Sequence, residues 1–225
     1  MATPKATRGD VKKAMSFDPS KLITIVVGRE PHQQRFSIPE GIICARSEFF
    51  KRALNGNWAE SEGRIVRFPE DNPEIFGIYM NLVYTGLVLT DTLESPKTVT
   101  TICDEFDVLG NLYVLCEKLQ DRAAKNSAVE SLLEVSMGKY ENKYTCPRTD
   151  TIVLVYRGTC AGSLGRRLMV DLWRKISVDF LIKCSDELPK EFLADLAISM
   201  KTQLEGHKIK GTWPLNKNTC MEREA

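Results

Sequence analysis

The sequence predicts a compact unit of the α/β or α+β class over its first half and a run of helices after it. Three observations carry this. Short β-branched runs alternate with amphipathic helical patterns up to about Asn126, none of the connections is a glycine-rich nucleotide fingerprint, and beyond Asn126 the pattern turns helical. The mixed part is about 105 residues long, a normal domain size.

The elements follow in chain order. Residues 1–20 are polar and without period, which predicts a disordered lead-in. "LITIVV", Leu22 to Val27, is too short and too β-branched for a helix and reads as a buried strand closed by Gly28. "RFSIP" alternates and ends on a proline, as the second arm of a hairpin would. Ser47 is a good N-cap with Glu48 in the first turn, so "SEFFKRAL" starts a helix that Asn55-Gly56 stops. "RIVRF", Arg64 to Phe68, is a further strand. Asn72 caps the next helix, Pro73 takes its first position and Gly86 closes it. "LVLT", Leu87 to Thr90, reads as a brief strand. Two helices then follow, "TVTTICDEFDVLGN" with Ile102, Phe106 and Leu109 inward, and "LYVLCEKLQDRAAKN" with Leu112, Leu115, Cys116 and Leu119 inward.

After Asn126, "AVESLLEVSMGKY" is helical, whereas "DTIVLVYRGT" has strand propensity among helical neighbours and stays open. "LGRRLMVDLWRKISVDFLIKC" repeats Leu164, Leu168, Leu172, Ile176 and Phe180 in steps of four, which predicts one amphipathic helix with Trp173 in the core. "LPKEFLADLAISMKTQ" predicts another, with Phe192, Leu196 and Met200 on one face. The expected organisation is a lead-in over 1–20, a mixed domain over 21–125, a helical extension over 126–204 and a flexible polar tail over 205–225.

Composition narrows the function. Of 225 residues, 31 are basic and 30 acidic, a net charge of +1 that gives no electrostatic reason to bind a nucleic-acid backbone or an anionic membrane. The seven cysteines form no C-x-x-C pair, and their odd number suits reduced, buried thiols in an intracellular protein, cytoplasmic or nuclear. Cys103 and Cys116 are expected to face each other across a turn. With only His32 and His207 as histidines, a Cys/His metal site lacks ligands. The lead-in has no apolar run of a signal peptide, and no stretch reaches the length of a membrane span.

Three constellations resemble chemistry and read better as structure. In "YRGTCAGSLGRR" the spacing Gly158-x3-Gly162-x2-Gly165 lacks the lysine and hydroxyl of a phosphate loop, and Ser163 is expected to cap the helix after it. Cys160 in that loop has no histidine beside it to act as base. Asp104, Glu105 and Asp107 spread over the helical face opposite Ile102 and Phe106, as a solvated face does. The sequence therefore offers no catalytic residues and no cofactor or metal site, and the protein is not expected to be an enzyme or to bind a small-molecule substrate. The densest basic run, Arg166-Arg167 with Arg174-Lys175, is too sparse for a DNA-binding helix.

One polar loop carries an unexpected residue, Trp58, with Glu60 two places on. Together with "TIVVG", the stretch "FSIPEGIICARSEFFKRALNGNWAESEGRIVRFPEDNPEIFGIYMNLVYTG" resembles the BTB/POZ family, the fungal kind in particular. Its specific features are the "ARSEFF" helix start, the "WAES" loop before "RIVRFPED", and "F-x-x-Y-x-x-L-V-Y-T-G" closing the next helix. The resemblance is dense over about 65 residues and looser over the first 125, and the tail "VYRGTCAGSLGRRLMVDLW…LPKEFLADL" is similar to the helical continuation of fungal members.

The resemblance implies an α+β BTB/POZ fold, a small mixed sheet capped by helices, followed by an α-helical C-terminal extension. It implies a protein–protein interaction module acting as adaptor or scaffold. Members that recruit a cullin scaffold of ubiquitin ligases carry a hydrophobic-x-acid motif in this loop, here Trp58-Ala59-Glu60. An aromatic anchor with a carboxylate beside it suits a partner pocket; the alternative is that Trp58 lids the "SEFFKRAL" helix. No separate substrate-binding repeat follows, so the helical tail binds a substrate itself or the protein is a regulator, including a transcriptional or nuclear regulator that acts through partners without touching DNA. Dimeric members carry an acid before the first strand and a histidine-lysine pair before the next helix. This chain has "SKLIT" and "IPEGII" there, and no apolar helix in its lead-in, so homodimer and monomer both remain open.

Overall fold

The structure is a computed structural model that describes residues 21–55, 63–90, 98–138 and 145–204. The expected lead-in, the Trp58-Ala59-Glu60 motif, His207 and the tail after Leu204 lie outside the described residues. The chain divides into two compact units, residues 1–70 and 71–225.

The first unit is built on three strands: β1 Leu22–Val27, β2 Gln34–Pro39 and β3 Ile65–Phe68. β1 lies in the middle, antiparallel to β2 and parallel to β3, with Ile25 opposite both Phe36 and Val66. The central position explains the continuous apolar run: Ile23, Ile25 and Val27 are fully buried and Val26 nearly so. Between β2 and β3 run two short helices, α1 Glu40–Arg46 and α2 Glu48–Leu54. α1 is not foreseen in the sequence, because it follows Pro39 with no side-chain cap and spans only two turns. α2 begins as expected, with Ser47 Oγ accepting a hydrogen bond from the Phe50 N–H at 3.2 Å.

The second unit is helical. Its first helix, α3 Pro73–Thr85, has Asn72 accepting from the Glu74 N–H at 2.8 Å and ends on Gly86 at φ 74°, both as the sequence indicates. Two expectations fail after it. Leu87–Thr90 forms no strand, and Leu87 and Leu89 are more than half exposed. Alternation alone makes no strand; a ladder partner is needed. The two helices expected over 98–126 are instead one long helix, α4 Val99–Lys118, and the start of another, α5 Arg122–Met137. The break comes at Gln120, in the left-handed region at φ 54°, and at the buried cap Asp121. Gly110 does not stop α4. A Cβ there would lie 2.6 Å from Thr151 Cγ2, so the glycine serves a close helix crossing. Cys103 and Cys116 thus share one helix and do not face each other across a turn.

The segment left open resolves as helix α6, Thr149–Gly158, where burial of Ile152 and Val155 overrides β-branched propensity. The single helix expected over 164–184 is two, α7 Leu164–Trp173 and α8 Val178–Cys184, the second capped by Ser177. A step of four drifts about 40° each time on a helix of 3.6 residues per turn, so five such residues do not share one face. After a short 3-10 turn at Ser185–Glu187 comes α9, Lys190–Leu204. Its inner face is Phe192, Leu196 and Ser199; Met200 turns outward, for the same reason. Trp173 is core as expected, packing against Phe192 at a centroid distance of 5.4 Å and donating its indole N–H to the Pro147 carbonyl at 2.9 Å. No described helix is long and apolar enough to cross a membrane.

Candidate protein-docking surface

The loop that the sequence singles out joins α2 to β3, and both flanking elements are anchored within the first unit. On the α2 side, Phe49 and Phe50 pack at right angles to each other, 5.4 Å between centroids, and both meet Phe68 of β3 at 5.5 and 5.9 Å. Three rings therefore clamp the first turn of α2 to the strand that follows the loop. On the β3 side, Arg64 occupies the left-handed region at φ 49°, and its carbonyl accepts from the Thr24 N–H at 2.9 Å. Its guanidinium donates twice to Glu40 Oε2, at 2.8 and 3.0 Å. A charge-assisted pair fixes the point where the chain re-enters the sheet. Trp58, Ala59 and Glu60 themselves lie outside the described residues.

The constellations that resembled chemistry take structural partners. The Gly165 N–H donates to the Tyr113 hydroxyl at 3.0 Å, and Ser163 caps α7 by accepting from the Arg166 N–H at 3.3 Å. The amides that a phosphate would need are thus in use. Arg166, read in the sequence as part of a surface basic run, is instead buried. It donates to the carbonyls of Tyr156 and Thr159, both at 2.6 Å, and pairs with Glu191 at 2.5 Å. It closes the carbonyl end of α6, where a cation suits the helix dipole. Arg174 of the same run donates to Asp171 and Gln203, at 2.8 and 2.6 Å.

The acidic face of α4 departs from the expected solvated one. Arg148 donates to Asp104 at 2.7 Å and to Asp107 at 2.5 Å, and Asp107 also accepts from the Thr151 hydroxyl. Asp104 and Asp107 hold α4 to the segment entering α6, while Glu105 accepts from the Thr90 hydroxyl at 3.1 Å. Among the described residues no group of three or more His, Cys, Asp or Glu is placed to hold a metal ion. His32 and Cys160 are exposed. Burial pushes the thiols of Cys44 and Cys146 up to about 11, the opposite of what a nucleophilic cysteine needs.

A family model described as BTB/POZ domain matches residues 20–123. The chain carries a BTB/POZ domain. The match takes in the three-stranded sheet, α1 to α4 and the first two residues of α5, so the mixed sheet and the helices that follow it are the α+β fold of this family. BTB/POZ domains are protein-interaction modules, generally without enzymatic activity, and the family often dimerises. The BTB/POZ domain here also displays apolar side chains that the sequence reading missed: Tyr84 at the end of α3, then Leu87 and Leu89, each more than half exposed. Their signal was present in "YTGLVLT", but the expected strand assigned the leucines to a sheet.

Proposed function

We propose that this BTB/POZ protein is an adaptor that docks a cullin-type ubiquitin-ligase scaffold through Trp58-Ala59-Glu60, and that its helical extension over 126–204 either holds a substrate or braces the module. It acts inside the cell. The observation that supports the reading is a hydrophobic-x-acid motif in a BTB/POZ loop whose flanking elements are fixed, α2 by the Phe49–Phe50–Phe68 cluster and the re-entry into β3 by the Arg64–Glu40 pair. Fixed flanking elements lower the ordering cost of binding, and an indole entering a partner pocket supplies most of the affinity.

The test is quantitative binding of the full chain to the N-terminal domain of a cullin. Trp58→Ala is expected to weaken it by about thirtyfold, since truncating a central interface aromatic costs about 2 kcal/mol. Glu60→Ala is expected to weaken it less, and the thermal midpoint of both variants should match wild type. Loss of stability in Trp58→Ala with no cullin binding by wild type would instead make Trp58 a lid on α2. A wild type that binds no cullin but retrieves nuclear factors would favour the regulator acting through partners.

A further inference from the structure

The C-terminal helices leave an open apolar groove. One hollow of about 330 Å³ is lined by Leu133 of α5, Leu168 and Leu172 of α7 and Gln203 near the end of α9. A second, of about 1080 Å³, is lined by Met137, Leu172, Ile176 and Phe180. The two share Asp171, Leu172 and Lys175, so they run into each other along α7. The far rim is bare: Met137 is 70% exposed and Phe180 47%, although Phe180 rests one edge on Trp173 at 6.0 Å between centroids. An apolar trough with one lip in solvent is a surface awaiting cover.

The chain itself supplies a cover of matching chemistry. It leaves α9 at Leu204, next to Gln203 at the groove's near end, and continues "EGHKIKGTWPLNKNTCMEREA". The densest apolar group in that polar stretch is Trp213-Pro214-Leu215. Residues 205–212 between helix and tryptophan can reach at most about 30 Å, ample for a groove only a few helical turns long. The proline ring fixes one φ in advance, which lowers the entropy lost on docking. Tethering raises the local concentration to about the millimolar range, so even a weak site would be filled.

We propose that Trp213-Pro214-Leu215 docks in this groove in cis, with Trp213 as the anchor against Leu172 and Phe180. The segment then covers the apolar lip of the extension, and any partner of that face must displace it.

Hydrogen exchange on the full chain, with amine cross-linking in parallel, tests this. Wild type is expected to show amides over 133–137 and 172–180 exchanging about tenfold more slowly than in the double variant Trp213→Ala/Leu215→Ala. It should also give a cross-link from Lys175 to Lys210 or Lys217 that the variant loses. Met137→Asp, at a position too exposed to unfold the protein, should mimic the tail variant. Equal groove exchange in wild type and both variants overturns the proposal. So does protection that grows with protein concentration, because a second copy would then fill the groove.

Discussion

Asp121 shows how far single residues could be read in advance. It is fully buried, yet both oxygens work: one accepts from the Ala124 N–H at 2.9 Å as the cap of α5, the other from the Tyr79 hydroxyl at 3.2 Å. Asp121→Ala should cost about 2–4 kcal/mol in denaturant unfolding, as it removes a cap and leaves a buried hydroxyl unpaired. Asp121→Asn should recover more than half of that loss, because an amide oxygen still caps. Ser47, Asn72 and Ser163 were legible as caps since the group they serve lies two or three residues on. The Asp121–Tyr79 bond was not, because its partners stand 42 residues apart and nothing local marks the pair. The same holds for Arg166, whose partners Tyr156, Thr159 and Glu191 all face it only after three helices have packed. In sequence it is one more surface cation.

Between elements, the deciding contacts belong to glycines on α4 and on its neighbours. A Cβ on Gly165 would run into the Tyr113 ring, one on Gly158 into Val114, and one on Gly110 into Thr151. Alanine ordinarily strengthens a helix by about 1 kcal/mol over glycine. Here the sign should reverse: Gly165→Ala is expected to lower stability by about 1–3 kcal/mol, since a buried aromatic ring cannot step aside without strain. A urea titration with the Tyr113→Leu background as control would check it, because a smaller neighbour should relieve the penalty. These crossings also explain the misread boundaries. Gly110-Asn111 resembles a helix end, yet α4 continues because Gly110 makes room for Thr151 and Asn111 donates back to the Asp107 carbonyl at 2.8 Å. For α6, tertiary burial outweighed a strand-like sequence.

Across the whole molecule, half-buried thiols set a pH response. The Cys44 and Cys146 thiols are raised from the ordinary 9.0 to about 11, chiefly by burial. A raised value in the folded state gives stability that is complete below pH 9 and is lost as pH climbs toward 11, because the unfolded chain ionises first. Tyr156 adds to the same slope above its ordinary 10.0, held protonated by burial and by its hydrogen bond to Asp195. Denaturation midpoints are therefore expected to fall between pH 9 and 11, and to fall less steeply in Cys44→Ala/Cys146→Ala. The fold class, β1 with the two strands beside it and the inward face of α4 were all legible, because period and burial coincide there. The candidate site was legible only as a motif, since what Trp58 touches depends on a partner or on packing that no local pattern encodes.

Helix α4 lies within the stretch matched by the BTB/POZ model, while its Gly110–Tyr113–Val114 flank is roofed by residues of α6 and α7, beyond that stretch. An excised module ending at residue 123 would have that flank stripped to solvent. Such a fragment would be sticky for reasons of its own making. A dimer observed with it would mix that bare flank with any native dimer face, and oligomer measurements belong with a chain that keeps its C-terminal roof.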